Sequence, residues 1–340
     1  MNNLNTISID LAKNVFQVGV FSPQHKMQSN QQLSRQKLAP FMTKQDKAIV
    51  VMEACYSSHH WARVFNGMGH VVRLIPAQHV KPFVRGNKND RNDSIAIAEA
   101  SWRPNIKFVP LKSVEQQDIQ ALHRIRDKLI ARRTSIINQT RGLLSEYGVI
   151  IPQGLKSFTQ HIFALIDPKD EHISLRMKHQ LRDTKEEYDQ LSKRCQSIEI
   201  ELKQYVQQNP LCQRLMTLPG VGVLNATALY AAIGNGSQFE NPRALSVWLG
   251  VTPKQYASGE KSFYGGITKR GNQYLRKQLI HGARSVMHHI KKRDDKLSVW
   301  VKQLVERRGK NKAAVALANR LARLAWILLQ RNENYQPVAS

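Results

Sequence analysis

The sequence predicts a mixed α/β domain at the N-terminus followed by a mainly helical remainder. Two observations predict it. Short alternating or continuous apolar runs fill the chain up to Ile75, whereas beyond Ser113 apolar residues recur every three or four positions over long stretches. A third, the charge, bears on function: Lys and Arg total 51 against 25 Asp and Glu, a formal charge of +26. Such an excess points to a polyanionic partner.

In Thr6–Leu11, Ile7, Ile9 and Leu11 alternate with Thr6, Ser8 and Asp10, the pattern of a half-buried strand with Asp10 opposite the isoleucines. A second strand, Val15–Phe21, follows a tight turn at Lys13-Asn14, and a third spans Met27–Leu33. Helix Arg35–Met42 precedes the apolar run Ala48–Met52, a buried strand closed by Glu53. Trp61–Phe65 is helical and ends at Gly67-Met68-Gly69; strand His70–Ile75 stops at Pro76. Asn87–Ser94 then leads into the helical Ile95–Ala100, with Asp90 and Asp93 three residues apart and so on one face. This strand and helix order is ribonuclease H-like, a fold in which acids on the first strand, the fourth strand and the last helix meet at one edge.

Asp10, Glu53, Asp90 and Asp93 would form an all-oxygen cluster suited to Mg²⁺ or Mn²⁺ and to metal-assisted attack at a phosphodiester. Singly, each acid also reads as a cap or a solvated charge. Asp10 stands apart, because an acid within an apolar strand needs a partner.

Ser113-Val114-Glu115-Gln116 is a capping box opening a long amphipathic helix through Ile119, Leu122, Leu129, Ile136, Leu143 and Leu144, ended by Gly148 and Pro152. Its other face carries Arg124, Arg126, Lys128, Arg132, Arg133 and Arg141, either a solvated face or a nucleic-acid contact. In a second long helix, Ser174–Gln208, Leu181, Tyr188, Leu191, Cys195, Ile198, Leu202 and Tyr205 form a heptad seam. That seam fits a coiled coil between chains and fits packing within one chain equally well. The expected division is 1–150, 151–209 and 210–335.

Leu218-Pro219-Gly220-Val221-Gly222, before the helical Asn225–Ile233, offers backbone N–H groups of Gly220 and Gly222 to a phosphate, as helix-hairpin-helix modules do, or is an ordinary helix connection. Ser258 lies in a glycine-flanked loop near Lys261, Lys269 and Arg270, cations fit to hold a phosphate beside a hydroxyl nucleophile; by type alone it is a loop serine. Helices are expected at Asn272–Lys291, which carries Arg276, at Lys296–Arg307 and at Lys312–Gln330. His281, His288 and His289 complete no ligand set. Lys254–Arg331 holds 19 Lys and Arg against 4 Asp and Glu, which makes it the foremost nucleic-acid face. No apolar run reads as a membrane span. Cys55, Cys195 and Cys212 lack metal or redox spacing, and Met1–Leu4 lacks the regions of a signal peptide. The expected setting is the reducing cytoplasm, with association with the nucleoid when DNA is bound.

These stretches together resemble the DEDD transposases of insertion sequences, relatives of the Piv site-specific invertases. The contexts of Asp10, Glu53, Asp90 and Asp93 fit that family's RuvC-like domain. Leu218–Gly222, Leu249-Gly250-Val251-Thr252-Pro253, Ser258-Gly259 and Thr268–Asn272 fit its C-terminal transposase domain. The likeness runs through nearly the whole chain. It implies a Mg²⁺ site at the four acids and a covalent phosphoserine formed by Ser258. It further implies donor and target DNA chosen by a noncoding bridge RNA, and dimers or tetramers whose catalytic centres join the acids of one subunit to the serine of another. Two positions depart from the family's pattern: Ser94, where alanine is usual, and Glu260, where a second glycine is common. A metal-only nuclease of the Holliday-junction-resolvase type, with Ser258 structural, is the alternative; a non-catalytic scaffold has no physical need for four acids facing DNA.

Overall fold

The computed structural model describes residues 4–85, 89–167, 171–258, 261–290 and 293–338. The Asn87-Lys88 stretch ahead of Asp90, the Gly259-Glu260 pair after Ser258 and the expected helix end at Lys291 lie outside them. The chain forms two compact units, Met1–Ser113 and Val114–Ser340.

The first unit is built on a five-stranded sheet. Its elements are β1 (Thr6–Leu11), β2 (Val15–Phe21), β3 (Met27–Ser34), α1 (Arg35–Thr43), β4 (Ile49–Glu53), α2 (Ser58–Gly67), β5 (Val71–Ile75), α3 (Ala77–Val80) and α4 (Asp90–Ser101). The strand order is β3-β2-β1-β4-β5; β1, β2 and β3 pair antiparallel, and β1, β4 and β5 pair parallel. This is the arrangement expected of a ribonuclease H-like domain. Ile7, Ile9, Phe16 and Val18 pack with Leu38 and Met42 of α1 and with Trp61 and Phe65 of α2. On the opposite face Ile49, Val51 and Ile75 pack with Val80, Ala96, Ile97 and Ala100 of α3 and α4.

One correction concerns β1. Alternation predicts a solvated face for Thr6, Ser8 and Asp10, yet Thr6 and Ser8 are buried. Helix α4 lies across that face, so small polar side chains sit under a helix rather than under water. Trp102 Nε1 donates to Thr6 Oγ1 at 3.3 Å, which uses one of those hydroxyls.

The second unit is helical around one hairpin. It comprises α5 (Val114–Ser145), α6 (Leu155–Leu165), α7 (Leu175–Gln208), α8 (Pro210–Met216), α9 (Val223–Ile233), α10 (Pro242–Leu249), β6 (Pro253–Ser258), β7 (Lys261–Ile267), α11 (Gln273–His289), α12 (Lys296–Arg308) and α13 (Lys310–Arg331). The heptad seam of α7 is spent inside the chain. Leu181, Tyr188, Leu191, Cys195, Ile198 and Leu202 are buried against Ile119, Leu129, Ile136 and Leu144 of α5 and Phe158 and Ile162 of α6. Of the two uses open to that seam, packing within one chain is the one observed. It also ties α5 to the second unit. Helix α6 has no counterpart among the expected elements.

α13 corrects a second expectation, since by length and composition alone it is apolar enough to cross a membrane. Leu317, Ala318, Leu321, Ala322, Ala325 and Leu328 are instead buried in the core of the unit. Its alanines let α10 and α11 approach closely.

His123 of α5 joins three helices. Its ring nitrogens lie 2.9 Å from Tyr274 Oη of α11 and 2.9 Å from Thr227 Oγ1 of α9. Burial, with help from the Arg126 charge, pushes its pKa down to about 4. A depressed histidine contributes stability that is present above its unfolded value and is lost as pH falls through the folded value. Melting curves from pH 7 down to 4 are expected to show a loss of as much as roughly 3 kcal/mol from this group. His123→Gln, neutral throughout, should remove that part of the slope; an unchanged slope would refute the assignment.

Candidate functional site

Three elements bring the acids together. Asp10 ends the polar side of β1, and α4 begins at Asp90 because the Asn89 side chain accepts from Asn92 N at 2.8 Å and caps it. Ligand oxygens of Asp10, Asp90 and Asp93 all lie within 4.8 Å of one another. Glu53, at the end of β4, is outside that mutual distance but electrically part of the group. Burial, then the charges of Asp93, Asp90 and Glu53, push the Asp10 carboxyl up to about 6. Burial and Asp93 likewise raise Glu53.

Among the described residues no ion pair reaches Asp10, Asp90 or Asp93. The negative charge is therefore concentrated and, among the described residues, without an ion-pair partner, and every donor is a carboxylate oxygen. That set fits a hard divalent cation and fits soft metals poorly.

Ser94 and Asn30 fix the helix that carries two of the acids. Ser94 is fully buried; its hydroxyl accepts from Asn30 Nδ2 at 3.1 Å and donates to Arg91 O at 2.9 Å. Asn30 Oδ1 in turn accepts from Gln17 Nε2, and Gln17 is the cross-strand partner of Asp10. A polar relay thus runs from β2 through β3 to α4. Ser94→Ala is expected to cost about 1 kcal/mol and to weaken the thermal stabilisation given by Mg²⁺. Melting with and without the cation checks this, and an undiminished Mg²⁺ shift would count against the relay.

In the second unit Ser258 closes β6 and is the register partner of Lys261 on β7. The expected loop is thus a β-hairpin. Its base is clamped to the helical body by close backbone contact. Gly250 (φ 71°) and Gly271 (φ 82°) face each other's segments, and a Cβ on either would meet a carbonyl oxygen, Arg270 O at 1.9 Å or Trp248 O at 1.8 Å. Lys269 N donates to Gly250 O, and Asn319 Nδ2 donates to Val251 O at 3.1 Å.

A DEDD transposase family matches residues 7–149, and the transposase IS116/IS110/IS902 family matches residues 212–298. The transposase for insertion sequence element IS1111A of Coxiella burnetii is 44% identical over 339 residues, covering 99% of this chain and 92% of that protein. This chain belongs to the IS116/IS110/IS902 transposase family. A probable family 20 transposase of Pseudomonas aeruginosa is 40% identical over 337 residues, covering 98% of this chain and 99% of that protein. The transposase for insertion sequence element IS1328 of Yersinia enterocolitica is 35% identical over 328 residues, covering 96% of this chain and 97% of that protein.

A transposase of this family is an enzyme acting on DNA, and DEDD members depend on metal. The remaining candidate residues separate by environment. Lys261, Lys269, Arg270 and Arg124 are exposed. Arg132 lies 3.4 Å from Glu187, and Arg133 stands over the Tyr188 ring. Arg276 donates to the carbonyls of Leu249 at 3.0 Å and Arg270 at 3.1 Å, so it braces the hairpin base. The Gly220 carbonyl accepts from Asn225 Nδ2 at 2.9 Å, and Gly220 rests against Gly282 of α11, whereas Gly222 is open and caps α9. Gln17, Asn30 and the bracing role of Arg276 escape sequence reasoning, because amides on an exposed-looking strand and an arginine on a basic helix carry no signal of their partners.

Proposed function

We propose that this insertion-sequence transposase cuts and rejoins DNA through a phosphoserine at Ser258, assisted by Mg²⁺, or Mn²⁺, at Asp10, Glu53, Asp90 and Asp93. The observation that carries the metal half is the mutual approach of Asp10, Asp90 and Asp93 without a cationic partner among the described residues. A bound divalent ion would stabilise charge on the phosphodiester and its leaving oxygen. Asp10 and Glu53, raised by burial and by the other acids, hold negative charge at a cost that a cation or a transferred proton relieves.

In the serine step the Ser258 oxygen forms a bond to phosphorus as the bond to a deoxyribose oxygen breaks. The hydroxyl proton lost by Ser258 is balanced by the one gained by the leaving oxygen, so no cofactor is consumed. A second deoxyribose hydroxyl reverses the step and rejoins the strand. Lys261, Lys269 and Arg270, exposed near Ser258 in sequence, together with Gly222 at the start of α9, Arg124, Arg132 and Arg133, supply phosphate contacts. A formal charge of +26 without a groove-reading motif supports delegation of sequence choice to a bridge RNA. A homo-oligomer, dimer or tetramer, that joins acids and serine from different subunits completes the reading.

The test is a denaturing gel of protein with labelled donor and target DNA, cognate RNA and Mg²⁺. A slow-migrating protein–DNA adduct is expected with wild type and is lost in Ser258→Ala. Cleavage without adduct, equal in both proteins, would instead identify a metal-only nuclease.

A further inference from the structure

The β6–β7 hairpin exposes more aromatic surface than its fold explains. All of β6 and most of β7 is solvent-facing, and Tyr256, Phe263 and Tyr264 are 58%, 67% and 62% exposed. A two-stranded ribbon has no core of its own to bury them. Their placement is ordered. Side chains two residues apart share a face of a strand, so Tyr256 and Ser258 lie on one face of β6. The register pairs Tyr256 with Phe263 and Ser258 with Lys261, which puts all four on the same face. The two rings lie 6.5 Å apart at 33°. Gly265 continues that face, and a Cβ there would meet the Tyr256 ring at 3.6 Å and Lys254 Cβ at 3.8 Å. One surface thus carries a tilted pair of exposed aromatic rings, a bare patch beside it, a hydroxyl and lysines.

We propose that Tyr256 and Phe263 form a stacking platform for an unpaired DNA base next to the phosphate presented to Ser258. Bases present a π-face of any sequence to such a pair, and the lysines match the adjoining phosphates. Pro253–Arg270 holds four cations, Lys254, Lys261, Lys269 and Arg270, against one acid, Glu260, so the charge favours a nucleic acid over a second copy of this basic chain. The platform explains how a strand is held single and in place while its phosphate is exchanged. The DNA assignment rests on the reading of Ser258 as nucleophile.

The experiment uses full-length protein and single-stranded DNA carrying a fluorescent adenine analogue that is quenched by stacking. Wild type is expected to quench it. A Tyr256→Leu, Phe263→Leu variant should lose the quench and roughly tenfold in single-strand affinity, with duplex affinity unchanged; Tyr256→Phe should keep both. Equal loss on single strand and duplex, an undiminished quench, or a preference for single-stranded RNA would overturn the platform. So would a changed sedimentation mass with DNA binding intact, which would mark the face as a contact between copies. Ser258→Ala should quench as wild type does. A quench without any covalent adduct in wild type would sink the nucleophile alone; an adduct without a quench would sink the platform alone.

Discussion

Asp10→Asn is expected to abolish strand cleavage and exchange, at least roughly a thousandfold, while leaving the metal-free protein no less stable than wild type. The second half is the more diagnostic. Asp10 is pushed up to about 6 from 3.8 by burial and by Asp93, Asp90 and Glu53. A raised acid binds its proton more tightly in the folded protein, so it favours folding below the ordinary carboxylate range, and that contribution is lost as pH rises through about 6. Without metal, wild type should lose stability over that window relative to Asp10→Asn. Mg²⁺ should restore it in wild type only. Melting curves at pH 4 to 8, with and without Mg²⁺, check both effects. A variant that melts well below wild type without metal, or that keeps the Mg²⁺ shift, would refute the arrangement.

Gly271→Ala and Gly250→Ala are expected to destabilise the second unit by about 3 kcal/mol or more each. Both combine a positive φ with a carbonyl oxygen less than 2 Å from the added Cβ, so neither a rotamer change nor a small shift relieves the clash. The hairpin base should open and proteolysis between Pro253 and Ile267 should rise. Gly142, inside α5, is the control, because a Cβ added there would meet no atom within 4 Å. There alanine should stabilise by about 0.5–1 kcal/mol. Thermal denaturation of the three variants decides it, and similar values for all would refute the close backbone contact.

Much of the first unit is legible in the chain because its signals are local. Alternation places β1, a continuous apolar run places β4, and the helical Ile95–Ala100 falls within α4, which begins earlier, at Asp90 under the Asn89 cap. The convergence of Asp10, Asp90 and Asp93 follows once that order is seen as ribonuclease H-like. What is not legible is set by partners distant in sequence. The burial of Thr6 and Ser8 depends on where α4 lies, and Ser94 gains its role only when Asn30 is opposite. In the second unit the seam of α7 has the period of a coiled coil whichever helix covers it, and only the presence of α5 settles that. The hairpin at Ser258 is hidden because Lys254–Ile267 lacks the apolar alternation of a buried strand; its described residues are exposed or part-exposed.

That uncovered hairpin also sets a timescale. It is gripped at its base by Gly250, Gly271 and Arg276, while the described residues along its length are largely exposed and joined by the β6–β7 ladder. Its amide hydrogens should exchange with solvent far faster than those of α13, whose inner face is buried. On the proposed reading of Ser258 as nucleophile, a serine carried on such an arm would change neighbours between the cutting and rejoining steps at the cost of a few ladder bonds, while the helical body beneath it stays folded.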